Sequence, residues 1–99
     1  MILFDIILQD EEKASKISDF LIDENYALQT HIDTNTILTK TGKKETIRLF
    51  FITKALLYNT IEAEIKKRFF SNDMLIYATP ISHINEEFGE LLRKNIKAI

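Results

Sequence analysis

The 99-residue chain contains no cysteine, no tryptophan, two glycines and one proline. Without cysteine there are no disulfides, thiolate metal sites or cysteine nucleophiles, and a reducing compartment is compatible with the chain. The scarcity of glycine and proline predicts regular elements over most of the length. It also excludes a glycine-rich phosphate cradle, because Gly42 and Gly89 stand alone. No apolar run is long enough to span a bilayer, and the first one, from Ile2 to Leu8, is interrupted by Asp5. The first residues are strand-like and carry no basic segment of the kind that opens a secretory signal. A cytoplasmic protein without a membrane partner is therefore expected. An excess of positive charge is missing too. Thirteen Lys and Arg face fifteen Asp and Glu, for a net charge of -2, which argues against nucleic acid as a partner.

What is present is ordinary for a globular chain: 45% hydrophobic and 28% charged residues, which excludes a largely disordered polypeptide. The length predicts one domain over residues 1–99. A chain this short buries one core with little area to spare, so self-association would help it.

The most apolar stretch is Ile47-Arg48-Leu49-Phe50-Phe51-Ile52. Five of its six residues are apolar, which reads as a strand buried on most of both faces in the middle of a sheet. A second such strand is predicted over 2–9, where Ile2, Phe4, Ile6 and Leu8 alternate with the mixed set Leu3, Asp5, Ile7 and Gln9. Asp10 is placed to cap a helix over 11–24, with Ala14, Ile17 and Leu21 on its apolar face. Residues 26–40 read as a long strand or a bent pair of strands. Ile37 and Leu38 break the alternation, so a bulge or bend is expected near 33–35. Residues 41–44 should form the turn around Gly42, and 45–52 the third strand. Thr53 is a candidate cap for a helix over 54–68, whose stripe is Leu57, Ile61, Ile65 and Phe69. A turn at 71–73, a strand over 74–79 stopped by Pro80, and a helix from 84 or 85 to 96 complete the chain.

The order β-α-β-β-α-β, with right-handed crossovers, gives an α+β ferredoxin-like sandwich with an extra C-terminal helix and with the first and third strands central. The two most apolar strands are the two that this topology buries. The second face of the sheet, Leu3, Asp5 and Ile7 with Thr46, Arg48, Phe50 and Ile52, would then stand without a helix over it. Such a patch predicts an interface. Asp5 and Arg48 fall near its middle, directly or diagonally opposed, and should pair.

Several segments resemble the CutA-type divalent-cation tolerance proteins. They are Ile52-Thr53-Lys54, Ile76-Tyr77-Ala78-Thr79-Pro80-Ile81 and Phe88-Gly89-Glu90-Leu91-Leu92. Asp10-Glu11-Glu12-Lys13-Ala14, Glu24-Asn25-Tyr26-Ala27 and the strand from Ile37 to Gly42 extend the likeness over the whole chain. The resemblance implies a ferredoxin-like subunit in a tight homotrimer, related in architecture to the P-II signalling proteins, non-enzymatic, and linked to tolerance of copper and other divalent cations. In the alternative reading the chain is a P-II-like sensor that binds a small anionic ligand or nucleotide at subunit clefts and signals to a protein partner. The chain departs from the family's pattern where metal contacts are usually proposed. Gln29 or a neighbour stands in place of a strand cysteine, Phe69-Phe70-Ser71 in place of a His-Pro-Tyr segment, and Lys40 or thereabouts in place of a hairpin tryptophan.

For a divalent cation, the residues themselves offer His31 with Asp33, two apart on one strand face, and His83 with Glu86 and Glu87 at the start of a helix. The plainer readings are a wet strand face and two glutamates answering a helix N-terminus. Lys40, Lys43 and Lys44 crowd the hairpin tip, where they could meet a phosphate or simply keep an edge soluble. No serine, histidine and acid are spaced as a triad, and no enzyme is expected.

Overall fold

The computed structural model describes residues 1–70 and 72–99. β1 (Ile2–Leu8) leads into α1 (Glu11–Asp23), then β2 (His31–Thr39), β3 (Gly42–Thr53), one 3-10 turn (Ala55–Leu57), α2 (Tyr58–Arg68), β4 (Leu75–Pro80) and α3 (Glu86–Asn95). The four strands form one antiparallel sheet in the order β2-β3-β1-β4, so β3 and β1 are central as the topology requires. The fold is the α+β ferredoxin-like βαββαβ sandwich with a C-terminal helix.

One face of the central strands is mainly apolar and carries the core. Phe4, Ile6, Leu49 and Phe51 are sealed from solvent with Ala14, Ile17 and Leu21 of α1 and Ile61 and Ile65 of α2. Phe4 stacks on Phe51 at 4.9 Å between ring centroids and lies 5.1 Å from Tyr58. Asp10 caps α1 as expected, accepting from Lys13 N at 3.1 Å.

Four expectations are corrected. Residues 26–30 are not strand. Asn25 takes the left-handed conformation (φ 61°), and Tyr26 and Ala27 donate their N–H groups to Leu21 O at the end of α1, so this backbone is committed to ending a helix. There is no bulge at 33–35. The register runs unbroken from His31↔Phe50 to Thr39↔Gly42, and Ile37 and Leu38 simply fall on opposite faces of a hairpin too exposed to enforce alternation. The turn comes earlier than predicted, at Lys40 and Thr41, with Gly42 (φ 133°) opening β3 and Lys43 and Lys44 paired in the ladder. Thr53 caps nothing. It ends β3 with its side chain fully buried, and its hydroxyl donates to Tyr26 O at 2.8 Å. Of the turn predicted at 71–73, Asn72 and Asp73 are a turn and Ser71 lies outside the described residues, as does that part of the Phe69-Phe70-Ser71 comparison.

Candidate functional site: the open face of the sheet

The opposite face has neither α1 nor α2 over it, and the register shows what it presents. One row across the sheet is His31 (β2), Phe50 (β3), Asp5 (β1) and Tyr77 (β4). The next is Asp33, Arg48, Ile7 and Leu75, and a third holds Ile52, Leu3 and Thr79. Leu3, Ile7, Phe50 and Ile52 are half-buried, whereas Leu75 is 54% and Tyr77 39% exposed. The apolar residues are contiguous because directly opposed residues of antiparallel strands share a face.

A polar seam runs through this patch. Arg48 lies diagonally from Asp5, and its Nε donates to Asp5 Oδ1 at 2.6 Å. Asp5 is only 1% exposed, while the Arg48 side chain keeps 30% of its surface open. Burial of this kind is tolerated only with a charged partner, which Arg48 supplies. The guanidinium passes over the Phe50 ring at 4.1 Å, and the His31 ring stacks on the same Phe50 at 4.9 Å and 14°. The hydrogen bond to Asp5 holds Arg48 above its ordinary pKa against partial burial, and the fields of Asp5, Tyr77 and Asp33 act in the same direction. Asp33, exposed, stands directly opposite Arg48 in the ladder, but the Arg48 Nε donates to Asp5.

At the edge of this face, Leu28, Gln29, His31 and Ile52 meet Phe88 and Leu92 of α3 around a cleft of about 20 Å³. Gln29 Nε2 is 3.4 Å from His31 Nε2. His31 and Asp33 thus share a face, but they share it with a cationic guanidinium, and two donors fall short of a tetrahedral set. At α3, His83, Glu86 and Glu87 are all exposed. Glu87 is engaged with its own backbone N–H and with Asn85 Nδ2 (3.2 Å), which hold its carboxyl below the ordinary range. Among the described residues, no three His, Asp or Glu side chains gather where they could hold a metal ion. The residues present therefore do not fit a closed metal site within one chain. Lys40, Lys43 and Lys44 sit exposed at and beside the hairpin turn.

Sequence reasoning missed Leu75 and Tyr77 as members of this face. The signal was available in the alternation Leu75, Tyr77, Thr79 once β4 is paired with β1, but the pairing register is not written in β4 itself.

No family model matches the chain, and neither does any curated protein. Solved structures match over its full length. CutA1 from Pyrococcus horikoshii superposes with a TM-score of 0.89 at 18% identity, covering 99% of this chain and 100% of that one. The divalent cation tolerance protein CutA1 from Thermus thermophilus gives 0.77 at 23% identity, covering 98% and 100%. The periplasmic divalent cation tolerance protein CutA from Archaeoglobus fulgidus gives 0.81 at 17%, covering 98% and 100%. From end to end, this chain has the fold of the CutA1 divalent-cation tolerance proteins.

Proposed function

We propose that residues 1–99 form one CutA-like domain that acts as a non-enzymatic homotrimer in divalent-cation tolerance, in the cytoplasm. The observation that carries this reading is the open sheet face. Leu3, Ile7, Phe50 and Ile52, with the more exposed Leu75 and Tyr77, surround a buried Asp5 and its partner Arg48. An apolar patch around an ion pair whose carboxylate is already buried is built to be covered, and neighbouring subunits are the cover that the CutA-like fold suggests. Any cation contact would have to be assembled from more than one chain, because His31 with Asp33, or the exposed His83, Glu86 and Glu87, give too few convergent donors alone. Copper binding within one subunit should accordingly be no tighter than about micromolar.

Light scattering tests the assembly, and a thermal-shift panel tests the ligand class. A ligand that binds only the native state raises its stability. Stabilisation by Cu²⁺ or Zn²⁺ supports the cation role. Stabilisation by adenine nucleotides supports the alternative P-II-like sensor, with Lys40, Lys43 and Lys44 as its first suspects. A monomer at micromolar concentration contradicts the assembly.

A further inference from the structure

We infer that the cavity between the start of α1 and the end of α2 binds a free α-amino acid with an apolar side chain, held as the zwitterion. The cavity measures about 440 Å³, a size typical of small-ligand sites. None of its lining residues belongs to the open face of the sheet, and they carry both signs of charge beside two aromatic rings. Lys13 Nζ donates to Phe70 O at 3.3 Å and makes no ion pair among the described residues. Arg68 gives its Nε to Glu64 at 3.0 Å and lays its guanidinium over the Phe20 ring at 4.7 Å, which leaves its Nη groups without a hydrogen bond among the described residues. On the acidic side, Asp10 accepts the Lys13 N–H at Oδ1, and its Oδ2 takes no hydrogen bond among the described residues. Glu12 pairs with Lys16 at 3.5 Å, both largely exposed, a contact of little worth. Phe69 is half-buried and edge-on to Phe20, whereas Phe70 is 71% exposed and meets no other ring among the described residues.

Spare donors and spare acceptors at one cavity decide the class of ligand. A simple anion answers Lys13 and Arg68 but also meets Asp10 and Glu12. A simple cation meets the reverse. An apolar ligand strips water from charges of both signs and returns no hydrogen bond. An α-amino acid answers both signs at once. Its carboxylate takes N–H groups from Lys13 and Arg68, and its ammonium donates to Asp10 and Glu12. Its side chain covers the Phe70 ring, an apolar surface that the subunit itself leaves in water. A peptide is no substitute, because each of its ends carries only one of the two charges.

The test titrates the isotope-labelled full chain with phenylalanine, N-acetylphenylalanine and phenylalanine amide, and follows backbone amide shifts by NMR. The three probes share one body, and the blocked two lack the ammonium or the carboxylate. Mildly acidic buffer keeps every remaining ammonium and carboxylate charged. Phenylalanine should shift the amides of Lys13, Lys16, Arg68, Phe69 and Phe70 with a dissociation constant of about 1 mM, as suits solvated ion pairs. Each blocked probe should bind at least about tenfold more weakly. Lys13→Met and Phe70→Ala should each weaken phenylalanine at least about fivefold. Amides distant from the cavity should keep their positions in both variants, because both side chains reach solvent. No shift at the cavity amides at about 10 mM phenylalanine overturns the inference. N-acetylphenylalanine binding as tightly as phenylalanine overturns it in favour of an anion site, and phenylalanine amide doing so overturns it in favour of a cation site. Unchanged affinity in Lys13→Met overturns it as well. The assembly is read separately, by light scattering, and its failure leaves this inference standing.

Discussion

Replacing Arg48 by alanine should be among the most damaging single changes on the sheet. Asp5 is 1% exposed, and among the described residues its one close cation is Arg48, at 2.6 Å. The substitution leaves a carboxylate buried among Phe50, Tyr77 and the β1 backbone with no counter-charge. Breaking a fully buried ion pair in this way costs roughly 3–5 kcal/mol. Arg48 itself keeps 30% of its side-chain surface, so water relieves part of the loss in a lone subunit, and about 3 kcal/mol is expected there. The lost guanidinium contact on Phe50 adds roughly 0.5–1 kcal/mol. In an assembly that covers this face the relief disappears and the cost rises to the upper end of the range. The double change Asp5→Asn with Arg48→Gln removes both charges and should cost clearly less than Arg48→Ala alone. Urea denaturation at fixed protein concentration measures this, with the slope checked for constancy so that midpoint shifts report stability. An Arg48→Ala protein within about 0.5 kcal/mol of wild type, or a double variant worse than the single one, would show that Asp5 does not depend on Arg48 for its burial.

Other outcomes follow from local geometry. Thr53→Val removes the hydroxyl that satisfies Tyr26 O and should cost about 1–2 kcal/mol by thermal or urea unfolding. Asn25→Ala removes the short polar side chain that lets asparagine tolerate φ 61° and should cost up to about 1 kcal/mol, whereas Asn25→Gly should be neutral or better, as read by differential scanning calorimetry. Changing Lys40, Lys43 and Lys44 together to serine should leave stability within about 0.5 kcal/mol and leave the sedimentation behaviour alone. Arg68 holds the Glu64 carboxyl below its ordinary value of 4.5 by a hydrogen bond. A depressed folded-state value gives stability that is present above the ordinary value and lost as pH falls through the depressed one. The stability difference between wild type and Glu64→Gln should therefore be present at neutral pH and vanish in acid below that range.

Much of this was legible in the residues, and the reason is the period of a strand. Ile2, Phe4, Ile6 and Leu8 alternate so strictly that their face could be assigned, and with it the odd face of Leu3, Asp5 and Ile7. The same parity put Arg48 beside Asp5, and the structure finds them diagonal and hydrogen-bonded. Parity does not give register, however. Nothing in β4 says that Tyr77 lands opposite Asp5, and nothing in β2 says that Asp33 lands opposite Arg48. Local propensity also misled where a tertiary partner won. Tyr26, Leu28 and Thr30 alternate like a strand, yet the backbone at Tyr26 and Ala27 is taken up by the end of α1, and Thr30 pairs with Ser18 through their hydroxyls. Thr53 had the chemistry of a cap, but burial turned its hydroxyl inward to Tyr26. The hairpin was misplaced by about two residues because its exposed strands carry no apolar pattern to fix it.

Neighbouring copies of the chain, on the reading proposed above, cover the open face of the sheet. The most direct measurement is the mass of the wild-type protein in solution, by sedimentation at micromolar concentration. A single species of three times the subunit mass is expected. A stable monomer, with Phe50, Leu75 and Tyr77 open to solvent, would contradict it.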